Sequence, residues 1–230
     1  MVAAAVCPHP PLLVPEVASG AAPELDDLRA ACAEAVAHLL AAEPDQVLSV
    51  GSGPEPSGAE IGRPDLPLSR AVGSWLLDRG GVHASRLAGQ TVLTLATRDE
   101  CQTLGRALAS TTDRLALLVL GDGSACRGQK APGYDDPRAA PFDAGIAEAL
   151  GTADTDALLA LDLGLAEELR CAGRAPWQVL AGAVAADGRA WHGELLYDAA
   201  PYGVAYFVAR WSPPAPSSPP TPSPIMSSRS

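Results

Sequence analysis

The chain has 230 residues, of which 47% are hydrophobic, enough to bury a core in one large domain or two small ones. Its 16 Lys and Arg against 27 Asp and Glu leave a net charge of −11, which excludes binding of nucleic acid through a general basic surface. Five scattered cysteines (Cys7, Cys32, Cys101, Cys126 and Cys171) with no CxxC pair exclude a disulfide framework and a thiolate zinc site.

The opening MVAAAVCPHPP has no basic leader, and its apolar run stops at Pro8, too soon for a signal peptide or a membrane span. With the cysteine usage, this predicts a cytoplasmic protein with no membrane partner. VAAAVC predicts a first strand. PELDDLRAACAEAVAHLLAA predicts a helix, with Leu25, Leu28, Cys32, Val36 and Leu39 on one stripe and Pro23 near its start. QVLSVG predicts a second strand and leads into the Gly/Pro-rich GSGPEPSG, after which LSRAVGSWLLDR predicts a helix. QTVLTLA, DECQTLGRALAS and RLALLVLG then predict strand, helix and strand. Helical segments are expected near 141–150, 154–172 and 176–186, a turn at Asp187-Gly188, and two late strands in AWHGELLY and GVAYFVARW. Residues 212–230, SPPAPSSPPTPSPIMSSRS, are mostly Ser, Pro and Thr and predict a disordered tail after a domain of residues 1–211. The βα alternation predicts an α/β fold, a mainly parallel central sheet with helices on both faces.

Open α/β sheets bind ligands beyond the carboxyl ends of their strands. That rule selects CPHPP after the first strand, GSGPEPSG after the second and GDGSACRG after the fourth. His9 stands between Pro8 and Pro10, which hold the backbone extended and give the imidazole a restricted direction. It reads either as a ligand or as a histidine hydrogen-bonded within a loop. His38 reads as a helical surface residue, His83 as a turn residue and His192 as an edge-strand residue, and no HxH or HExxH spacing exists. GDGSACRG lacks both GxGxxG and a GK[ST] ending, so a nucleotide site is unsupported. Asp122, Ser124, Arg127, Lys130, Tyr134, Asp135, Asp136 and Arg138 crowd the same loop. Two readings stay open for it, a substrate-binding loop and a loop stapled by its own Asp and Arg pairs. Glu167 and Glu168 read as a carboxylate ligand or as solvated helix-face charge.

Taken together, VAAAVCPHPPLLVPEV, LVLGDGSACRGQKAPGYDDPRAAPFDAGIAEAL, EELRCAGRAPWQVLAGAV and PYGVAYFVA resemble the catalytic chains of the class III extradiol ring-cleavage dioxygenase family, including its Memo-type relatives. The resemblance runs from the first strand to about Arg210. It implies an extradiol-dioxygenase-like fold and a non-haem Fe(II) or other divalent metal, held by two histidines and a glutamate, with a further histidine as acid/base. Carried across, His9 matches the first ligand, and Glu168, or less closely Glu167, matches the carboxylate. Ala125 stands where the family's Gly-Asp-x-Ser-His loop has its histidine, and GSGPEPSG holds none, so the ligand set is incomplete.

These readings imply a divergent, catalytically impaired member that binds a small molecule or metal near His9. Asp122 is the catalytic candidate, Ser124, Arg127 and Tyr134 are the substrate-binding candidates, and His9 and Glu168 are the metal candidates. One alternative is an active Fe(II)-dependent dioxygenase in which Asp122, Glu55 or a displaced histidine fills the gap. Another is a protein-interaction scaffold. Nothing in the sequence sets the substrate or the oligomeric state. Truncation after Trp211 is expected to leave the thermal midpoint within about 2 °C of the full chain by calorimetry, and a loss of several degrees would show that the tail packs on the domain.

Overall fold

The computed structural model describes residues 1–18, 23–53, 67–82, 87–112 and 114–214. Its strands are β1 (Ala3–Cys7), β2 (Gln46–Gly53), β3 (Leu87–Leu93), β4 (Leu115–Leu120), β5 (His192–Ala199) and β6 (Tyr206–Ser212). They form one six-stranded sheet in the order β3-β2-β4-β1-β6-β5. The ladders β2–β3, β2–β4 and β1–β4 are parallel, whereas β6 runs antiparallel to both β1 and β5. The mainly parallel α/β sheet expected from the sequence is therefore present.

β1 (AAAVC) and β4 (LALLVL) are buried at every position. They read as unbroken apolar runs because both faces of the sheet are covered. Ala3, Ala5 and Cys7 of β1 face one way, towards α2 (Asp26–Ala41) and α3 (Leu68–Arg79), and pack with Leu28, Cys32, Val36 and Leu76. Ala4 and Val6 face the other way and pack in the cluster that holds Cys101 of α4 (Arg98–Ala109), Ile146 of α5 (Ala139–Thr152) and Val179 of α8 (Arg174–Asp187). A short α1 (Pro15–Ala18) lies between β1 and α2. No helix among the described residues is long and apolar enough to cross a membrane.

The structure corrects two boundaries. The third strand runs over Leu87–Leu93 and not Gln90–Ala96, because Thr97 opens α4 in a capping box with Glu100 and the Ala96 N–H donates to the Leu93 carbonyl at 3.0 Å. Leu95, which reads as a strand residue, sits 56% exposed in that turn. The segment 154–172 is not one helix but two, α6 (Thr155–Leu159) and α7 (Leu163–Glu168). Asp154 caps the first through the Ala157 N–H, and Asp162 stops the run and caps the second through the Leu165 N–H. Ser212 closes β6 opposite His192, one residue past the expected domain end, while residues 215–230, like Glu55 and His83, lie outside the described residues.

The crossovers position the site. After β1 and β2 the chain passes through α2 and α3 on one face, and after β4 it leaves through α5 and α8 on the other. Segments leaving adjacent strands in opposite directions open a crevice at the carboxyl edge, here beside β4.

On the second face α4 and α8 approach closely through glycines. A methyl group at Gly105 would meet the Val179 carbonyl oxygen and lie 2.6 Å from the Ala183 nitrogen, and one at Gly182 would lie 2.7 Å from the Gln102 Cα. Backbone cannot yield as a side-chain tip can, so Gly105→Ala is expected to cost about 1–3 kcal/mol. At about 2–4 °C per kcal/mol for a chain of this size, calorimetry should find the thermal midpoint lower by several degrees. An unchanged midpoint would mean that the two helices are free to separate.

Candidate functional site

The parallel ladder of β1 and β4 runs one step beyond its strands, where the Gly121 N–H donates to the Cys7 carbonyl at 3.0 Å. His9, two residues past Cys7, and Asp122, one residue past Gly121, then make the site. Pro8 and Pro10 have no N–H, so His9 carries the donor of the Pro-His-Pro run. It donates to Asp122 Oδ1 at 2.8 Å. The imidazole folds back over the same carboxylate, with Nδ1 3.6 Å from Oδ1 and side chains 9% and 16% exposed for His9 and Asp122. His9 Nδ1 is buried and has no hydrogen-bond partner among the described residues. Burial pushes the Asp122 carboxyl above its ordinary range, against the pull of His9 and its N–H.

The glycines on either side of Asp122 serve packing and not phosphate. A methyl at Gly121 would lie 2.5 Å from the Gly173 Cα, and one at Gly123 would lie 2.8 Å from the Ala205 Cβ and 2.7 Å from the Phe207 ring. The Trp177 ring fills the space beneath Gly121 and Gly173 and meets Phe207 edge-on, with centroids 6.0 Å apart. Its Nε1 is the other buried polar side-chain atom without a partner among the described residues. Cys171 Sγ lies 3.4 Å from the Asp122 carbonyl, and burial pushes its thiol up to about 12. The phenol of Tyr206 is likewise raised, first by burial and then by the Asp122 charge.

The rest of the loop is stapled by its own charges. Asp143 on α5, 1% exposed, accepts from the Ser124 N–H at 2.9 Å, the Ser124 hydroxyl at 2.6 Å and Arg127 Nη1 at 3.1 Å. Two of the expected substrate-binding residues are thus committed to one buried carboxylate. Tyr134 is 75% exposed and takes a left-handed φ of 63°. Ala125 packs its methyl inside while its N–H donates to the Leu169 carbonyl at 2.9 Å. Glu168 is held at the surface by Arg138 at 2.6 Å, and Arg138 also grips Asp136, whose carboxyl it holds down at about 2.

Of the six residues singled out by sequence, the structure brings His9 and Asp122 together, joins Ser124 and Arg127 through Asp143, and leaves Tyr134 and Glu168 outside both pairs. A facial triad needs three convergent donors. Among the described residues no three of His, Cys, Asp and Glu are grouped to hold a metal ion. The described donors do not fit the iron that the resemblance implies. Asp143 and Trp177 were not singled out, although the Pro-Phe-Asp run at the start of α5 and the lone tryptophan in an Ala-rich helix were visible signals.

No family model and no curated protein matches the chain. One solved structure with which it aligns is the uncharacterized protein JW3007 from Escherichia coli K12, at 13% identity and a TM-score of 0.46, covering 92% of this chain and 100% of that one.

The raised Asp122 carboxyl sets a pH dependence. Between the ordinary 3.8 and its raised value the folded chain binds more proton than the unfolded one, so this group removes stability as pH rises through that window. Asp122→Asn keeps an oxygen for the His9 N–H and removes the buried charge. It is expected to melt higher than the wild type at pH 7, with the gain vanishing below about pH 3.8, where the wild-type carboxyl is protonated in both states. A variant that melts lower at pH 7 would mean that the imidazole more than offsets the burial.

Proposed function

We propose that the chain is a divergent relative of the class III extradiol dioxygenases, impaired in ring cleavage, that binds a small polar molecule in the crevice between β1 and β4. The observation that carries this reading is the buried His9 imidazole, with Nδ1 unpartnered among the described residues and the Asp122 carboxylate beside it. Buried polar atoms in native proteins are satisfied with few exceptions, and an exception at the carboxyl edge of a parallel sheet is where a ligand's hydroxyl finds its partner. Asp122, poised towards protonation by burial, can take or return a proton from such a hydroxyl.

Three features support the impairment. Ala125 offers a methyl where the resemblance expects an imidazole, and a methyl moves no proton. Ser124 and Arg127 are spent on Asp143. Glu168 is paired with Arg138 at the surface. No step is assigned to iron, since the described donors do not make its ligand set.

The test is to supply Fe(II) anaerobically, admit oxygen, and follow catechol, protocatechuate and related diols for the coloured ring-opened product. The expected rate is about 10²–10⁴-fold below the ordinary enzymatic scale of about 1 s⁻¹. Calorimetric titration with the same diols should give heat that disappears in His9→Ala. Turnover at about 1 s⁻¹ or faster, lost in His9→Ala, would establish the active dioxygenase instead. Absence of both turnover and binding would leave the scaffold.

A further inference from the structure

A second cavity, of about 310 Å³, lies beside the carboxyl end of β3, between the turn after that strand and the start of α8. His9 and Asp122 do not line it. Its wall includes Thr94 and Leu95 from the turn, Leu163 and Glu167 from α7, Arg170, and Arg174 at the first turn of α8.

Arg174 is the anomaly. Its guanidinium is always charged and the residue is 2% exposed, yet its hydrogen-bond partners among the described residues are all neutral. Nη1 donates to Gln178 Oε1 at 2.7 Å, and Nη2 donates to the Thr94 and Ala96 carbonyls at 2.9 and 2.6 Å. No carboxylate lies within ion-pair distance of it, and Nε has no acceptor, among the described residues. Buried charges in proteins are paired or they bind an ion. The positive end of the 14-residue α8, which has no side-chain cap, adds to the same field. Arg170, held at a left-handed φ of 55°, also lines the wall, and its Nη1 donates to the Pro132 carbonyl at 2.9 Å, so its charge acts on the cavity only at a distance.

We propose that this cavity is a binding site for a small organic monocarboxylate, with Arg174 as its counter-ion. Nη2 spends both its hydrogens on the Thr94 and Ala96 carbonyls, so a carboxylate oxygen would take the single charge-assisted bond that Nε–H has to offer. A phosphate dianion would face Glu167 with one buried cation to offset twice the charge of a monocarboxylate. Leu95, Leu163 and Ala166 give the rest of the wall an apolar surface, which suits the hydrocarbon body of an acid. The volume, at the low end for ligand pockets, fits a molecule about the size of benzoate. The site does not rest on the reading of the His9 crevice.

The test uses the full chain and benzoate as probe, titrated by heteronuclear NMR or calorimetry, with benzamide and inorganic phosphate as controls. Saturable binding with Kd of about 1 mM or tighter is expected for benzoate, and binding at least about tenfold weaker for both controls. Arg174→Met should weaken benzoate by about tenfold or more. That variant loses a buried network and can fail to fold, so two surface variants carry the decision independently. Arg170→Gly, whose φ suits glycine, should weaken binding about two- to fivefold, and Glu167→Gln should tighten it by a similar or smaller factor. His9→Ala should leave the affinity unchanged. Saturation absent below about 10 mM, equal binding of benzamide, or an affinity that ignores both surface variants would overturn the site. Binding lost in His9→Ala would place the probe in the other crevice and overturn it as well.

Discussion

The main chain of residues 121–126 crosses the carboxyl edge of the sheet largely under cover, and a covered backbone must have each N–H and carbonyl satisfied. The sequence meets that demand from both sides. Gly123 donates to the Ala205 carbonyl at 2.8 Å, Ala205 donates back to the Ser124 carbonyl at 2.8 Å, and Arg127 donates to Gly203 at 3.0 Å. On the other flank Ala125 donates to Leu169, and Gly173 donates to the Asp122 carbonyl at 2.8 Å. Asp122 is therefore set in place by several separate pieces of chain, and His9 is set in place by Asp122. The geometry of the pair belongs to the architecture and not to a mobile loop tip.

Two carboxylates, the buried Asp143 of α5 and the partly buried Asp122, meet at this loop and do opposite things. Asp143 accepts from three donors, one of them a guanidinium, and so fixes the turn that carries Ser124 and Arg127. Asp122 receives one backbone N–H and an imidazole too distant for a hydrogen bond. The first is compensated within the chain, and the second is left short of partners at the one edge of the sheet where ligands enter. That contrast, more than either residue alone, separates structural from chemical use of the same side chain.

What was legible in the sequence was the part governed by local period. The unbroken apolar runs of β1 and β4, the stripe on α2 and the rule that sites lie at carboxyl ends together place His9 beside Asp122 from the sequence alone. What was hidden depends on partners distant along the chain. Glu168 looks available until Arg138, thirty positions away, is seen to hold it, and Ser124 looks free until Asp143, nineteen positions on, takes both its donors. The exposed Leu95 shows the same limit from the other side, since a capping box at Thr97 overrode an apolar run that still read as strand.

All five cysteines are buried and none is in a disulfide. The thiol of Cys32 is raised well above its ordinary range by its hydrogen bond with Cys7 and by burial, that of Cys101 is raised to about 11 by burial, and that of Cys126 is raised by the same cause. They sit on β1, α2, α4, the loop after β4 and the approach to α8, so they sample both faces of the sheet and the site between them. Thiolates are the reactive species, and at Cys32, Cys101, Cys126 and Cys171 burial disfavours them until the surrounding shell opens. Alkylation kinetics, read cysteine by cysteine, would therefore act as a set of built-in clocks for the opening of each layer, with Cys171 timing the floor of the Asp122 crevice itself.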